Sequence, residues 1–171
     1  HSELFRKKGK SVTSLDYGDS VYFKSGLPDD VIICDYLEYI PDKPFDSIWC
    51  CHVLEHQLNP NLFLKKVFSD LASDGVLAIT VPPLKHEIVG GHVSLWNAGL
   101  ILYHLVHAGF DCKEASILQY AYNITCIVKK KPILEFPKLT FDSGDIELLS
   151  SYLPDGLSEG FDGDIYELNW Y

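Results

Sequence analysis

Residues 44–83 read PFDSIWCCHVLEHQLNPNLFLKKVFSDLASDGVLAITVPP. Asp46–Cys51 is a short apolar run, and the polar stretch from His52 to Gln57 ends it. Asn59-Pro60 follows. Asparagine is a favoured helix N-cap and proline is tolerated at the first helical position, so a helix begins there. Leu64, Val67, Phe68 and Leu71 recur at helical spacing and carry it to about Ala72. Gly75 ends the connection, Val76–Val81 reads as a strand, and Pro82-Pro83 stops it. Strand, loop, helix and strand in this order form the repeating unit of a parallel sheet crossed by helices. The first strand ends beside Cys51, His52, Glu55 and His56, at the edge where open α/β sheets bind ligands.

The pattern continues outward. Towards the N-terminus, Ser2–Lys8 looks like the last turns of a helix, with cations at its end and Gly9 as a stop. Ser11–Asp16 (SVTSLD) reads as a buried strand ending at an acid, Asp16, and Val31–Cys34 (VIIC) as a compact strand followed by another, Asp35. Asp19–Asp30 holds turn residues and one candidate short helix. Towards the C-terminus, a loop carries His86, Glu87, Gly90, Gly91 and His92. Ser94 is the expected cap of a second helix reaching Ala108. Leu95, Ala98, Leu102 and Leu105 form its inner face and Gly109 is its stop. Lys113–Gln119 and Asn123–Lys130 read as strands joined so closely that they must form an antiparallel hairpin. Asp145–Tyr152 suits a short helix. The end, FDGDIYELNWY, is aromatic enough to pack on the body.

A chain of 171 residues with 47% apolar and 22% charged residues suits one soluble domain. No apolar run reaches the length of a membrane span, and no signal-peptide pattern is present. Residues 132–171 hold nine acids against one lysine, so they carry −8 of the total −10. Neither part has the basic footprint of a nucleic-acid binder. Five cysteines without a C-x-x-C spacing argue against a disulfide framework and fit a reducing, cytoplasmic setting. Most of them sit in apolar runs, as small buried hydrophobes do.

Five segments in order, SLD (14–16), DYLEYIP (35–41), FDSIWCCHVLEH (45–56), NP (59–60) and GVLAITVPP (75–83), carry a family likeness. Together they resemble the class I S-adenosylmethionine-dependent methyltransferases, specifically the compact bacterial type. The resemblance covers roughly residues 1–131. It implies an α/β, Rossmann-like fold: a mostly parallel sheet with helices on both faces and a terminal antiparallel β-hairpin. It also sets the expected organisation, a methyltransferase-like domain over 1–131 and an acidic, aromatic extension over 132–171 packed on the same domain. The family's glycine-rich first motif, close to LDxGxGxG, has no counterpart here. His1–Leu4 aligns just after it, and the strand it follows would be central in the sheet. The expectation is that the natural chain extends upstream.

The resemblance implies a division of labour around S-adenosylmethionine. Asp16 would accept hydrogen bonds from both ribose hydroxyls, which suits an ionised carboxylate at a strand end. Tyr17 would cover the adenine, Asp35 would accept from its amino group, and Tyr36 and Leu37 would line the ring. Cys51 and His52 would contact the methionine portion. Taken singly, an acid after a strand is as readily a turn or cap residue. Methyl transfer needs aligned reactants and, for some acceptors, a base. His52 and His92 are the catalytic candidates, with His56 and His86 on the same rim. Gly90-Gly91 would let the loop of His92 bend over a pocket. His52-x-x-Glu55-His56 also fits the spacing of an inverted zinc-protease motif, which needs a helix; here it follows a strand, so a zinc protease is not expected. It is also similar to the E-x-x-E-H of small-RNA 2′-O-methyltransferases, which with a downstream histidine, here His86 or His92, binds a divalent ion; His stands in place of the first Glu and the acidic tail argues against RNA, so no metal ligand is assigned.

The expected activity is methyl transfer to a small-molecule or sugar-derived acceptor, with neither nucleic acid nor membrane as partner. A catalytically silent domain that binds a partner is the competing reading, and the upstream sequence would discriminate: LDxGxGxG there favours the enzyme. A nicotinamide-dependent oxidoreductase also uses a strand-end acid, but it leaves FDSIWCCHVLEH followed by NP unexplained.

Overall fold

A computed structural model describes residues 1–19 and 30–171. The chain forms two compact units, His1–Asp42 and Lys43–Tyr171. Most of the segment read as turns with one short helix, Asp19–Asp30, lies outside the described residues. Among the described residues, no helix is long and apolar enough to cross a membrane.

In the first unit, helix α1 (Ser2–Lys7) ends before Gly9, whose φ of +76° suits a residue without Cβ. Strand β1 (Ser14–Asp16) pairs in parallel with β2 (Val31–Ile33), Asp16 opposite Ile33. The strands are shorter than their apolar runs. Arg6 of α1 ties the unit together, with Asp30 at 2.6 Å and Ser14 Oγ at 3.3 Å. No described residue of this unit is buried.

The second unit holds a five-stranded sheet in the order β3-β4-β6-β5-β7. Strand β3 is Phe45–Cys51, β4 is Leu71–Val81, and they run parallel because helix α2 (Pro60–Asp70) makes the crossover. Asn59 caps α2 through its side chain, which accepts from the Leu62 N–H at 3.1 Å. Phe63, Leu64 and Val67 are buried beneath it. Strands β5 (Ser116–Tyr120) and β6 (Asn123–Lys129) form the expected antiparallel hairpin. Its loop is only Ala121–Tyr122, with Ala121 at φ +47°. The parallel character of this sheet stops at β4: β6, β5 and β7 (Glu167–Leu168) all pair antiparallel, the β5–β6 pair because its two-residue connection requires it.

Helix α3 (Ala98–His107) packs against α2 and β6, and α2 also packs on β4, so these two helices share one face of the sheet. The core lies between: Leu77, Ile79 and Val81 of β4, Ile101, Leu102 and Leu105 of α3, and Ile124 and Cys126 of β6 are buried. Replacing one such leucine by alanine costs about 2–5 kcal/mol. The sheet buries one polar pair, Thr80 and Thr125, whose hydroxyls satisfy each other at 2.8 Å across β4 and β6.

The start of α3 differs from expectation. Asn97, not Ser94, is the cap, its side chain accepting from the Leu100 N–H at 2.8 Å. Ser94 is engaged elsewhere: its hydroxyl takes the Trp96 indole N–H at 2.9 Å, and its backbone N–H is bound to the Glu55 carbonyl. Leu95 consequently precedes the helix and is exposed. A short helix α4 (Asp145–Leu148) and a 3-10 turn (Ser150–Tyr152) follow within the acidic segment.

Candidate active site

The expected nucleoside-binding residues lie in the first unit. Asp16 ends β1, and its Oδ1 accepts the Gly18 N–H at 2.8 Å. Asp35 follows β2, and its Oδ1 takes two donors, the Leu37 N–H at 2.8 Å and the Tyr17 hydroxyl at 3.0 Å. The structure thus joins Tyr17, Asp35 and Leu37 in one hydrogen-bonded turn. The Tyr17 ring stays 53% exposed, an aromatic face open beside two acids. Its hydroxyl is pushed up from its ordinary pKa, first by partial burial and then by the Asp35 carboxylate that it bonds. Tyr36 is half-buried beside them. The Tyr17–Asp35 bond was not foreseen. The Asp35–Leu37 turn had a signal, because aspartate often binds the backbone two residues on.

The second unit holds the histidines. β3 ends at Cys51, and His52 turns out of it with φ +54°, a strained conformation for a residue with a side chain. Its N–H still pairs with the Thr80 carbonyl at 2.9 Å. A 3-10 turn, Leu54–His56, follows and sends Glu55 inward and His56 outward. Glu55 is 0% exposed. His52 Nδ1 lies 3.1 Å from Glu55 Oε1, so this nitrogen carries the proton and donates it to the carboxylate. His52 Nε2 lies 2.9 Å from the side-chain amide of Asn123, at the start of β6. That amide can present either end, so it serves neutral and charged imidazole alike. Tyr122 of the hairpin loop lies parallel to the His52 ring, with centroids 6.5 Å apart.

The loop of His92 is fastened over this turn. The N–H groups of Val93 and Ser94 both donate to the Glu55 carbonyl, at 2.9 and 3.3 Å. The Gly91 carbonyl accepts from His56 Nδ1 at 2.9 Å. His56 and His92 meet edge to face, with ring centroids 4.9 Å apart. His92 also lines a surface pocket with Lys85, Trp96 and Tyr122, and the Lys85 ammonium sits 4.5 Å from the Tyr122 ring. His86 is exposed. Both catalytic candidates therefore belong to one cluster organised by Glu55. Glu55, His56 and His92 are also spaced to share a metal ion. Asn123 escaped the sequence reading as a site residue, since it has no local signature, and Gly91 was read there for its flexibility and not as the acceptor of His56.

Comparison with known proteins fits this arrangement. Residues 1–79 match the family described as "Methyltransferase domain". Fifty residues are 40% identical to a probable (S)-tetrahydroprotoberberine N-methyltransferase 2 of Papaver bracteatum, covering 29% of this chain and 14% of that protein. The chain thus spans a small part of that relative's length. Among solved structures, a SAM dependent methyltransferase from Archaeoglobus fulgidus has a TM-score of 0.61 at 18% identity, over 75% of this chain and 80% of that one. A 1,6-didemethyltoxoflavin-N1-methyltransferase from Burkholderia thailandensis, solved with S-adenosylhomocysteine, has a TM-score of 0.57 at 14% identity, over 75% and 65%. At such identity these likenesses speak for the fold. The match to the methyltransferase domain spans residues 1–79, less than half of the chain.

Proposed function

We propose that this chain binds S-adenosylmethionine and transfers its methyl group to a small-molecule acceptor. The observation that carries the reading is the pair of acids after successive parallel strands, Asp16 and Asp35, within the stretch that matches a methyltransferase domain. The donor set suits an adenosine: exposed carboxylate at Asp16 for hydroxyl donors, carboxylate at Asp35 for an amino group, and the open face of Tyr17 for a flat ring. Tyr36 and Leu37 complete this half of the assignment. Cys51 and His52 are assigned to the amino-acid portion of the cofactor.

When bound, the sulfonium supplies the methyl group, which leaves sulfur as the acceptor atom attacks from the opposite side. His52 and His92 are assigned the acceptor's proton. Glu55 fixes His52 with Nδ1 protonated, and Nε2, which the Asn123 side-chain amide holds at 2.9 Å, is the nitrogen assigned as base. His92 reaches the pocket wall. A nitrogen acceptor is favoured by the two relatives named as N- and N1-methyltransferases. Sugar-derived acceptors belong in the same screen. The free cysteines agree with a reducing, cytoplasmic setting.

The test is calorimetric titration with S-adenosylhomocysteine. Saturable binding is expected, with Asp16→Ala and Asp35→Ala each weakening it about 10- to 100-fold, the worth of a hydrogen bond to a charged group. A folded protein that takes up no S-adenosylhomocysteine would overturn the enzyme reading in favour of a silent binding module.

A further inference from the structure

We propose that Glu55, His56 and His92 form a binding site for a first-row transition-metal ion of the zinc type. Each residue offers one ligand atom, and the three lie within 4.8 Å of one another. Geometry alone does not single out a site, but the state of each group does.

Glu55 is wholly buried, yet its Oε2 has no partner among the described residues. A buried carboxylate oxygen is rarely left so, because nothing repays its lost hydration. A cation is the partner that a carboxylate in such a place calls for. His52 holds the carboxylate at its other oxygen, Oε1, through Nδ1. Histidine would then be the outer group that orients a ligating carboxylate.

His56 is prepared in a complementary way. The Gly91 carbonyl can only accept, so His56 Nδ1 bears the hydrogen and Nε2 bears the lone pair. A ring N–H on a backbone carbonyl is the usual support of a ligating histidine. Nε2 stands 3.9 Å from Glu55 Oε1, beyond hydrogen-bond reach. Two ligands of one tetrahedral ion, each bonded at about 2.0–2.2 Å, stand roughly 3.4 Å apart. Oε1 already accepts from His52, so the oxygen left for the ion is the unpartnered Oε2 of the same carboxylate.

His92 comes from a loop held to the turn by the two backbone bonds on the Glu55 carbonyl. That tether brings the third ligand across 36 positions of sequence. Two imidazoles and a carboxylate suit zinc, cobalt or iron better than calcium or magnesium. Three protein ligands leave a coordination position open. Because His92 also lines the pocket, that position is available to whatever the pocket receives. The arrangement is not that of a zinc protease: His52 faces Glu55 and Asn123 instead of the ion, and the second histidine ligand lies downstream.

The proposal stands apart from methyl transfer. If both hold, His92 is a ligand and His52 remains to take the proton. The experiment uses untagged protein, freed of metal by a chelator and then desalted. Zn²⁺ is titrated by calorimetry and Co²⁺ by visible absorption. One equivalent of each is expected, the cobalt spectrum having the intensity of a four- or five-coordinate ion. His56→Ala and His92→Ala should each lower affinity by more than about tenfold, and His52→Ala by about 10- to 100-fold, as loss of an orienting group does. His92, on the loop, is the variant that decides if Glu55→Gln does not fold. A folded protein that takes up neither ion would overturn the site. So would uptake with unchanged affinity in both His56→Ala and His92→Ala. S-adenosylhomocysteine titration of the same samples separates the two proposals, since either can fail while the other holds.

Discussion

Burial keeps the core cysteines of this fold in their neutral form. Cys50, Cys112 and Cys126 are buried, and burial raises all three thiols, Cys126 to about 12. Half-buried Cys51 is raised as well, by burial first and then by the negative charge of Glu55. A thiol reacts as its thiolate, so these groups are inert near neutral pH. Iodoacetamide should leave Cys50, Cys112 and Cys126 unmodified in the native protein and label them after denaturation, as peptide mass spectrometry would record. Labelling of Cys112 or Cys126 without denaturant would contradict the packing. This was legible in the sequence, because those cysteines stand in apolar runs. Asp16 and Asp35 were legible too, since a strand's end and an acid can both be read locally. The burial of Glu55 was not. It goes with the loop of Val93 and Ser94, whose N–H groups bind the Glu55 carbonyl and which are far away in the chain.

Helix α3 shows the same division between local and distant information. Its length and its stop at Gly109 follow from spacing alone. Its start was misplaced because two good caps, Ser94 and Asn97, stand three residues apart. The choice is made by Trp96 and Glu55, which engage Ser94. The helix also carries a titrating pair near its end. Burial lowers the pKa of His104 and of His107 from the ordinary 6.5, and at His104 the neighbouring His107 adds to the shift. Both are therefore held neutral in the fold, while the unfolded chain binds protons below about pH 6.5. Stability should be full above that pH and decline as pH falls through it towards the lowered folded values. Urea unfolding at a series of pH values would measure this. His104→Gln should flatten the decline, and an unaltered pH profile in that variant would refute the assignment.

On the scale of the molecule, burial is unevenly distributed. Every buried residue among those described belongs to Lys43–Tyr171. Hydrogen exchange should follow this division, with β4 and β6 exchanging slowest and β1 and β2 orders of magnitude faster. Equal protection in the two pairs would contradict it. The α/β class was legible because helix and strand periods alternate through residues 44–131. The division of the strands between two sheets is a matter of which edges meet, and periodicity does not encode that. The last strand has a consequence of its own. β7 is two residues long, yet it occupies the outer side of β5, and Tyr166 and Asn169 add backbone and side-chain bonds on either side of it. The hairpin's edge would otherwise be a template for a neighbour's strand. The tail fills it with a piece too short to propagate the ladder and surrounds it with Asp162, Asp164 and Glu167. On that side, at high concentration, the protein carries its own stopper against growth into ribbons.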